Sequence, residues 1–206
     1  MPTITRAQWG AKSTAAADPL SAHEVVGIAV HWPAMSKPLR GVADVSAALR
    51  SWQSYHLSKG WRDVAYQVAV DQDGNRYTLR GLDGVSAANG DTDTNRRYGA
   101  VLAVLAPGEA PTPAMLDELR RVVADHRRLF PKSTRIVGHQ DIRPEPTACP
   151  GPLMEAIVNA GLLEPQDPKR EERLAKLEAT RKRKAKWQRW VKRANKNIER
   201  LKRLTK

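Results

Sequence analysis

Residues 24–33 read EVVGIAVHWP, a strand-forming stretch that ends at a proline. Up to His31 it is rich in β-branched and apolar side chains, a pattern typical of a strand that is covered on both faces. Trp32 and Pro33 end the strand, because proline has no amide hydrogen to donate to a sheet ladder. His31 is therefore expected at the carboxyl end of a buried strand, where side chains emerge into a cleft.

Helices and further strands follow in alternation. Asp44 is a suitable N-cap for a helix whose apolar residues recur at helical spacing. Residues 65–70 and 76–79 flank Asp73-Gly74 and predict a β-hairpin. The later elements are predicted as strands at 100–105 and 134–137, a helix that Thr112-Pro113 opens, and a closing helix at 152–160. This order predicts an α/β domain with a mixed central β-sheet flanked by helices.

Charge divides the chain into two parts. The 206 residues include 35 Lys+Arg and 22 Asp+Glu, for a formal net charge of +13. Residues 165–206 hold 17 of the basic and 5 of the acidic residues, so residues 1–164 are nearly neutral. We therefore predict a neutral domain over 1–164 and a C-terminal basic helical extension over 165–206.

Two further features limit the class of protein. The single cysteine, Cys149, excludes an intramolecular disulfide. The N-terminal residues lack the apolar core of a signal peptide, and no window approaches the roughly 18 apolar residues that a membrane span needs. The expectation is a protein that is soluble and cytoplasmic when synthesised, and that acts elsewhere only after release.

One cysteine and two of the five histidines suggest a metal site. His31 ends one predicted strand, and His139 comes shortly after another, 134–137. Cys149 lies in the proline-rich loop RPEPTACPGP. Imidazole and thiolate are common zinc ligands, and a catalytic zinc takes three protein ligands and keeps one open position. A structural histidine or a small buried cysteine would fit the same spacing, so spacing alone leaves the site open. The remaining histidines are expected to be structural: His23, His56 and His126.

Four stretches carry a family resemblance: TRAQWGAK (5–12), IAVHWP (28–33), YHLSKGWRDVAYQVAVDQDGNRYTLRG (55–81) and VGHQDIRPEPTACPG (137–151). In this order they resemble the zinc-dependent N-acetylmuramoyl-L-alanine amidases of type 2, which share a fold with peptidoglycan recognition proteins and with phage lysozyme-type amidases. The resemblance covers roughly residues 3–162.

The resemblance implies a role for five residues. His31, His139 and Cys149 match the family's zinc ligands. Tyr66 matches a tyrosine beside the metal-bound water, and Thr147 falls where catalytic members carry Lys or Thr. Zinc lowers the pKa of a bound water to about 7 and polarises the scissile carbonyl. The hydroxyls of Tyr66 and Thr147 would then donate hydrogen bonds to the developing oxyanion or to the nucleophile.

Each of these assignments has an alternative or a departure beside it. Tyr66 would also suit a strand that packs in the core, and Thr147 would suit a turn in which its hydroxyl binds backbone. Many relatives carry a further histidine in the stretch that here reads GVSAANGD, where this chain has Ala87 and Ala88. This departure removes no predicted metal ligand.

The basic extension has helix-forming composition and an interrupted apolar stripe. The stripe consists of Leu174, Leu177, Trp187, Val191, Ala194, Ile198 and Leu201. Three partners are compatible with it: an anionic envelope surface such as lipid, lipopolysaccharide or teichoic acid, a second copy of the chain through helix packing, or nucleic acid. Trp187 and Trp190 suit an interface, so we favour the envelope and do not expect nucleic acid.

These observations predict an endolysin-like peptidoglycan hydrolase that cuts the amide between N-acetylmuramic acid and L-alanine. A host recycling amidase is a second enzyme hypothesis. The alternative from another class is a non-catalytic peptidoglycan-binding protein. Cys149 argues against that alternative, because non-catalytic relatives typically lose this ligand.

Overall fold

The structure is a computed structural model that describes residues 2–33, 35–143 and 145–165, so the predicted basic helix lies outside the described residues. The described residues belong to one compact unit, Met1–Pro165. Its elements in chain order are β1 (Thr3–Ile4), α1 (Arg6–Trp9), β2 (Gly27–His31), α2 (Gly41–Ser58), β3 (Val68–Val70), β4 (Arg76–Thr78), α3 (Thr92–Arg97), β5 (Tyr98–Ala103), α4 (Pro113–Leu129), β6 (Arg135–Gly138) and α5 (Pro152–Asn159).

The strands form one six-stranded sheet in the order β1-β4-β3-β5-β2-β6. β3, β5, β2 and β6 run parallel to one another, whereas β4 pairs antiparallel with β3. β1 joins the far edge parallel to β4. The predicted mixed sheet flanked by helices is confirmed.

Two apolar cores cover the two faces of the sheet. On one face, α4 and α5 pack side chains such as Leu119 and Met154 against Val30 and Val101. On the other face, α1 and α2 contribute Trp9, Leu49 and their neighbours. Every residue of β2 is buried, as its continuous apolar sequence predicts. Among the described residues, no helix is long and apolar enough to cross a membrane.

Local chemistry accounts for the hairpin and for the start of α4. The turn between β3 and β4 places Gly74 at φ +77°, a conformation that glycine adopts without strain. Thr112 caps α4 by accepting a hydrogen bond from the backbone N–H of Met115. Pro113 then occupies the first helical turn, as predicted.

The prediction that Asp44 is an N-cap is wrong. α2 begins at Gly41, and its cap residue is Arg40, four residues before Asp44. Asp44 lies inside the first turn, where its carboxylate accepts a hydrogen bond of 3.2 Å from the backbone N–H of Arg40. A carboxylate in the first turn interacts favourably with the helix dipole, so the residue type that suits a cap also suits this position.

His126 is a fully buried histidine between α4 and the sheet. A hydrogen bond of 3.0 Å joins its Nδ1 to the Ser133 hydroxyl, while its Nε2 is buried without a hydrogen-bond partner among the described residues. Nε2 packs so closely on β5 that a Cβ at Gly99 would lie 2.5 Å from it. Burial, assisted by the charge of Arg127, lowers the pKa of His126 to about 4. His126 is structural, as the sequence predicted.

We expect His126 to make the fold less stable in mild acid. In the unfolded chain its pKa returns to about 6.5, so between pH 6.5 and 4 the unfolded state binds a proton that the folded state does not. The free energy of unfolding should therefore fall with decreasing pH in this window, with a contribution of up to about 1.4 kcal/mol per pH unit from this residue. Urea unfolding at pH 4.5 to 7.5 measures it.

Two variants isolate this contribution from that of the other histidines. His126→Gln should show a shallower pH dependence than the wild type over the same window. His23 is exposed, and His23→Gln should follow the wild-type curve. If His126→Gln retains the full wild-type slope, the buried imidazole is not its source.

Candidate metal centre

The pairing of β2 with β6 brings two histidines together. Val30 pairs with Gly138 in this parallel ladder, so the next residues of the two strands, His31 and His139, leave the same edge of the sheet. The centroids of their rings lie 4.4 Å apart. His31 is 1% exposed and His139 is 7% exposed, so both imidazoles are largely shielded from water.

The loop after β6 carries Cys149 back to the histidines. Its carbonyl accepts a 2.9 Å hydrogen bond from the N–H of Gln140, which ties the end of the loop to its beginning. Its Sγ accepts a hydrogen bond from the N–H of Trp32 at 3.3 Å and lies 3.7 Å from Nδ1 of His31. The thiol is thus held against the end of β2.

Gly151 allows this loop to pack closely. It adopts φ +86°, and a Cβ at this position would lie 2.7 Å from the indole ring of Trp32. Any residue with a Cβ at this position would push the loop away from Trp32 at the end of β2. Gly151 therefore helps to hold the Cys149 thiol beside His31.

One ligand atom from each of His31, His139 and Cys149 lies within 4.8 Å of the other two. Burial, with a smaller effect of His139, lowers the pKa of His31 to about 3. Burial and the charge of Arg143 lower the pKa of His139 to about 4. Burial raises the pKa of the Cys149 thiol to about 11 in the absence of a metal. At neutral pH both imidazoles are uncharged and carry a free lone pair.

This donor set fits a zinc ion. Two neutral imidazoles and one thiol that loses its proton on binding form a three-ligand set of the kind that catalytic zinc sites use. Nε2 of His139 is buried and has no hydrogen-bond partner among the described residues. A buried lone pair without a partner is unfavourable, and a bound cation would satisfy it.

Tyr66 lies beside this cluster, close to His31. The two rings meet edge to face with centroids 5.4 Å apart. Burial and the proximity of Cys149 raise the pKa of Tyr66 well above its ordinary value. The phenol therefore stays protonated near neutral pH and can donate a hydrogen bond.

Thr147 makes the backbone contact that the sequence left open as an alternative. Its hydroxyl oxygen accepts a hydrogen bond from the N–H of Cys149 at 3.3 Å. This contact uses a lone pair of the oxygen, so the hydroxyl hydrogen remains free to point elsewhere. Thr147 is half-buried and lies in the same loop as Cys149, two residues before it.

Asn89 is a site residue that the sequence did not reveal. Its side-chain oxygen lies 2.9 Å from Nε2 of His31. It belongs to the stretch GVSAANGD, in which Ala87 and Ala88 mark the departure from the family resemblance. The contact joins residues 58 positions apart, so no local spacing could predict it.

Known proteins have similar sequences. The sequence model of a family described as N-acetylmuramoyl-L-alanine amidase matches residues 21–152. Peptidoglycan-recognition protein LB of Drosophila melanogaster is 26% identical over 164 residues, which cover 76% of this chain and 67% of that protein. An endolysin of Enterobacteria phage K11 is 29% identical over 61% of this chain and 83% of its own length. An N-acetylmuramoyl-L-alanine amidase of Sus scrofa is 32% identical over 60% of this chain, and the match spans 20% of that protein.

Solved structures show the same fold. Wild-type Drosophila PGRP-LB superimposes with a TM-score of 0.67 at 24% sequence identity, covering 78% of this chain and 94% of that structure. The family match extends over more than half of the chain and includes His31, His139 and Cys149. The chain belongs to the N-acetylmuramoyl-L-alanine amidase family.

Proposed function

We propose that this chain is a zinc-dependent peptidoglycan hydrolase of endolysin type. It would cut the amide between the lactyl group of N-acetylmuramic acid and the first L-alanine. The observation that carries the proposal is the convergence of His31, His139 and Cys149 at one edge of the sheet, with ligand atoms within 4.8 Å of one another. The family match and the similarity to a phage endolysin support the same substrate and reaction.

His31, His139 and Cys149 would hold the metal, and other residues would act on the substrate. Zinc bound there would supply a water of lowered pKa and would polarise the scissile carbonyl. The chain's part is to present uncharged imidazoles, which the burial of both histidines ensures. The Trp32 N–H that points at Cys149 Sγ favours the thiolate form that a metal requires.

Tyr66 and Thr147 would stabilise the negative charge that develops on the carbonyl oxygen. Tyr66 keeps its hydroxyl proton, because burial raises the pKa of the phenol. Thr147 keeps a free hydroxyl proton while its oxygen accepts from Cys149. Two donors fixed beside the reacting carbonyl favour the tetrahedral oxyanion over the planar substrate.

A peptidoglycan digest tests the reaction. Cleavage of the proposed amide should release the free amino group of L-alanine and leave the number of reducing sugar ends unchanged. Amino-terminal labelling and a reducing-end assay on the same sample measure the two products. New reducing ends would identify a glycosidase and contradict the proposal. Binding to peptidoglycan with neither product would favour the non-catalytic alternative.

Two substitutions should separate the metal ligand from the hydrogen-bond donor. Cys149→Ala removes a ligand, so it should lose both the roughly one zinc per chain and the hydrolysis. Tyr66→Phe removes only a hydroxyl, so it should keep zinc while kcat falls by about 100-fold. Metal analysis measures the zinc content of both variants, and the peptidoglycan digest measures their activity. Full activity in Cys149→Ala would show that the ligand assignment is wrong.

We also propose that residues 165–206 direct the hydrolase to an anionic cell envelope. The basis is the sequence, in which these residues hold 17 of the 35 Lys+Arg together with Trp187 and Trp190. Basic side chains favour an anionic surface, and tryptophan favours the boundary between water and apolar material. The apolar stripe between Leu174 and Leu201 would also suit pairing with a second copy of the chain.

Deletion of residues 165–206 tests the targeting. The truncated chain should hydrolyse soluble muropeptide at the wild-type rate, because the described residues form a compact unit without the extension. Its attack on whole cells should be weaker, and the difference should shrink at high salt, which screens charge. Light scattering reports any change of oligomeric state. Equal lysis of cells by the two forms would contradict envelope targeting.

A further inference from the structure

Asn89 makes a buried contact with the metal-ligand candidate His31. Both side chains are almost completely removed from water, at 0% and 1% exposure. The side-chain oxygen of Asn89 lies 2.9 Å from Nε2 of His31. The other ring nitrogen, Nδ1, faces Sγ of Cys149 at 3.7 Å. The two nitrogens of His31 therefore meet different partners.

The orientation of the Asn89 amide follows from an unambiguous neighbour. The backbone carbonyl of Tyr98 lies 2.9 Å from one end of the amide, and a carbonyl can only accept. That end must be the NH₂ group, whose second hydrogen points to the Ser86 hydroxyl at 3.3 Å. The opposite end, which faces His31, is the oxygen.

Asn95 fixes the backbone beneath this amide. Its side-chain oxygen accepts a 2.9 Å hydrogen bond from the N–H of Asn89. The Ser86 hydroxyl donates to the same oxygen at 2.9 Å, so Ser86 has a lone pair left to accept from Asn89. Both Asn89 amide hydrogens and the Ser86 hydroxyl thus meet an acceptor, and a reversed Asn89 amide would set its oxygen against the Tyr98 carbonyl.

We propose that Asn89 is a positioning residue that holds His31 in the tautomer with its proton on Nε2. An amide oxygen accepts and cannot donate, so Nε2 must carry the hydrogen. Nδ1 then keeps its lone pair on the side of Cys149, where the proposed zinc would bind. Hydrogen bonds of this kind orient imidazole ligands and raise their basicity. The metal part of this inference rests on the proposed function.

The loss of the acceptor has a definite consequence. In Asn89→Leu the Nε2–H of His31 would be buried without a partner, whereas a proton on Nδ1 could point at Cys149 Sγ. His31 should therefore populate the Nδ1–H tautomer, which blocks the ligand lone pair. Asn89→Asp keeps an acceptor for Nε2–H: an ionised carboxylate accepts through either oxygen, and a neutral carboxyl would direct its O–H to the Tyr98 carbonyl and its C=O to His31.

Two measurements test the proposal. Long-range ¹H–¹⁵N correlation spectra of the metal-free protein report which nitrogen of His31 carries the proton. Competition with a chromophoric chelator gives the zinc dissociation constant. We expect Nε2–H in the wild type, a shift toward Nδ1–H with about 10- to 100-fold weaker zinc binding in Asn89→Leu, and recovery of the Nε2–H tautomer in Asn89→Asp.

A control separates tautomer selection from general destabilisation. Asn75 is also a buried asparagine, and its side chain donates to Asp71 in the hairpin. Asn75→Leu should leave the His31 spectrum and the zinc affinity unchanged. An Nδ1–H wild type, an Asn89→Leu that retains wild-type zinc affinity, or an Asn89→Asp that loses the Nε2–H tautomer would each overturn the inference. A wild type with the Nε2–H tautomer and no zinc binding would overturn the proposed function alone.

Discussion

The parallel pairing of β2 (Gly27–His31) with β6 (Arg135–Gly138) is the constraint on which the site depends. This register places Val30 opposite Gly138, and the two histidines follow side by side. It is strongly specified, because alternate residues of β2 enter different apolar clusters: Ile28 and Val30 pack in one, and Ala29 packs in another. A slip of one residue would exchange these faces and separate the histidines. Packing of the sheet thus sets the geometry of the candidate ligands.

The burial that makes the sheet stable also prepares the ligands. Removal from water disfavours the charged imidazole, which keeps both histidines neutral and able to bind a metal. The same burial leaves Nε2 of His139 without a hydrogen-bond partner among the described residues, which costs about 1–3 kcal/mol. A metal in the proposed site would remove this cost, so metal binding and folding stability would be coupled.

The features that the sequence predicts correctly are those that depend on one residue and its near neighbours in the chain. Gly74 and Thr112 act within a few residues of themselves, and the hairpin and the start of α4 were predicted from them. The end of β2 at His31 was predicted for the same reason, since Pro33 cannot extend a ladder. The helix cap assigned to Asp44 failed, because a carboxylate is equally suited to the first turn that it occupies.

Contacts between segments that are distant in the chain could not be predicted from local sequence patterns. Asn89 interacts with His31 only because β5 brings the carbonyl of Tyr98 beneath its amide. No periodicity or spacing marks such a residue. In this stretch the family resemblance pointed only to Ala87 and Ala88. The sequence offered His31, His139 and Cys149 as candidate ligands, but the hydrogen bonds that orient their side chains depend on the assembled sheet.

In Thr147 one hydroxyl would serve both the structural contact that is observed and the catalytic role that is proposed. Its oxygen accepts from the N–H of Cys149, and this contact alone would explain a threonine in the loop. A hydroxyl also has one hydrogen to donate, and acceptance from a backbone N–H leaves that hydrogen free. The contact restricts where the oxygen lies and so restricts where the hydrogen can point. A donor held in place by the backbone of the neighbouring ligand needs little reorganisation when charge develops on a carbonyl, which is the condition for effective oxyanion stabilisation.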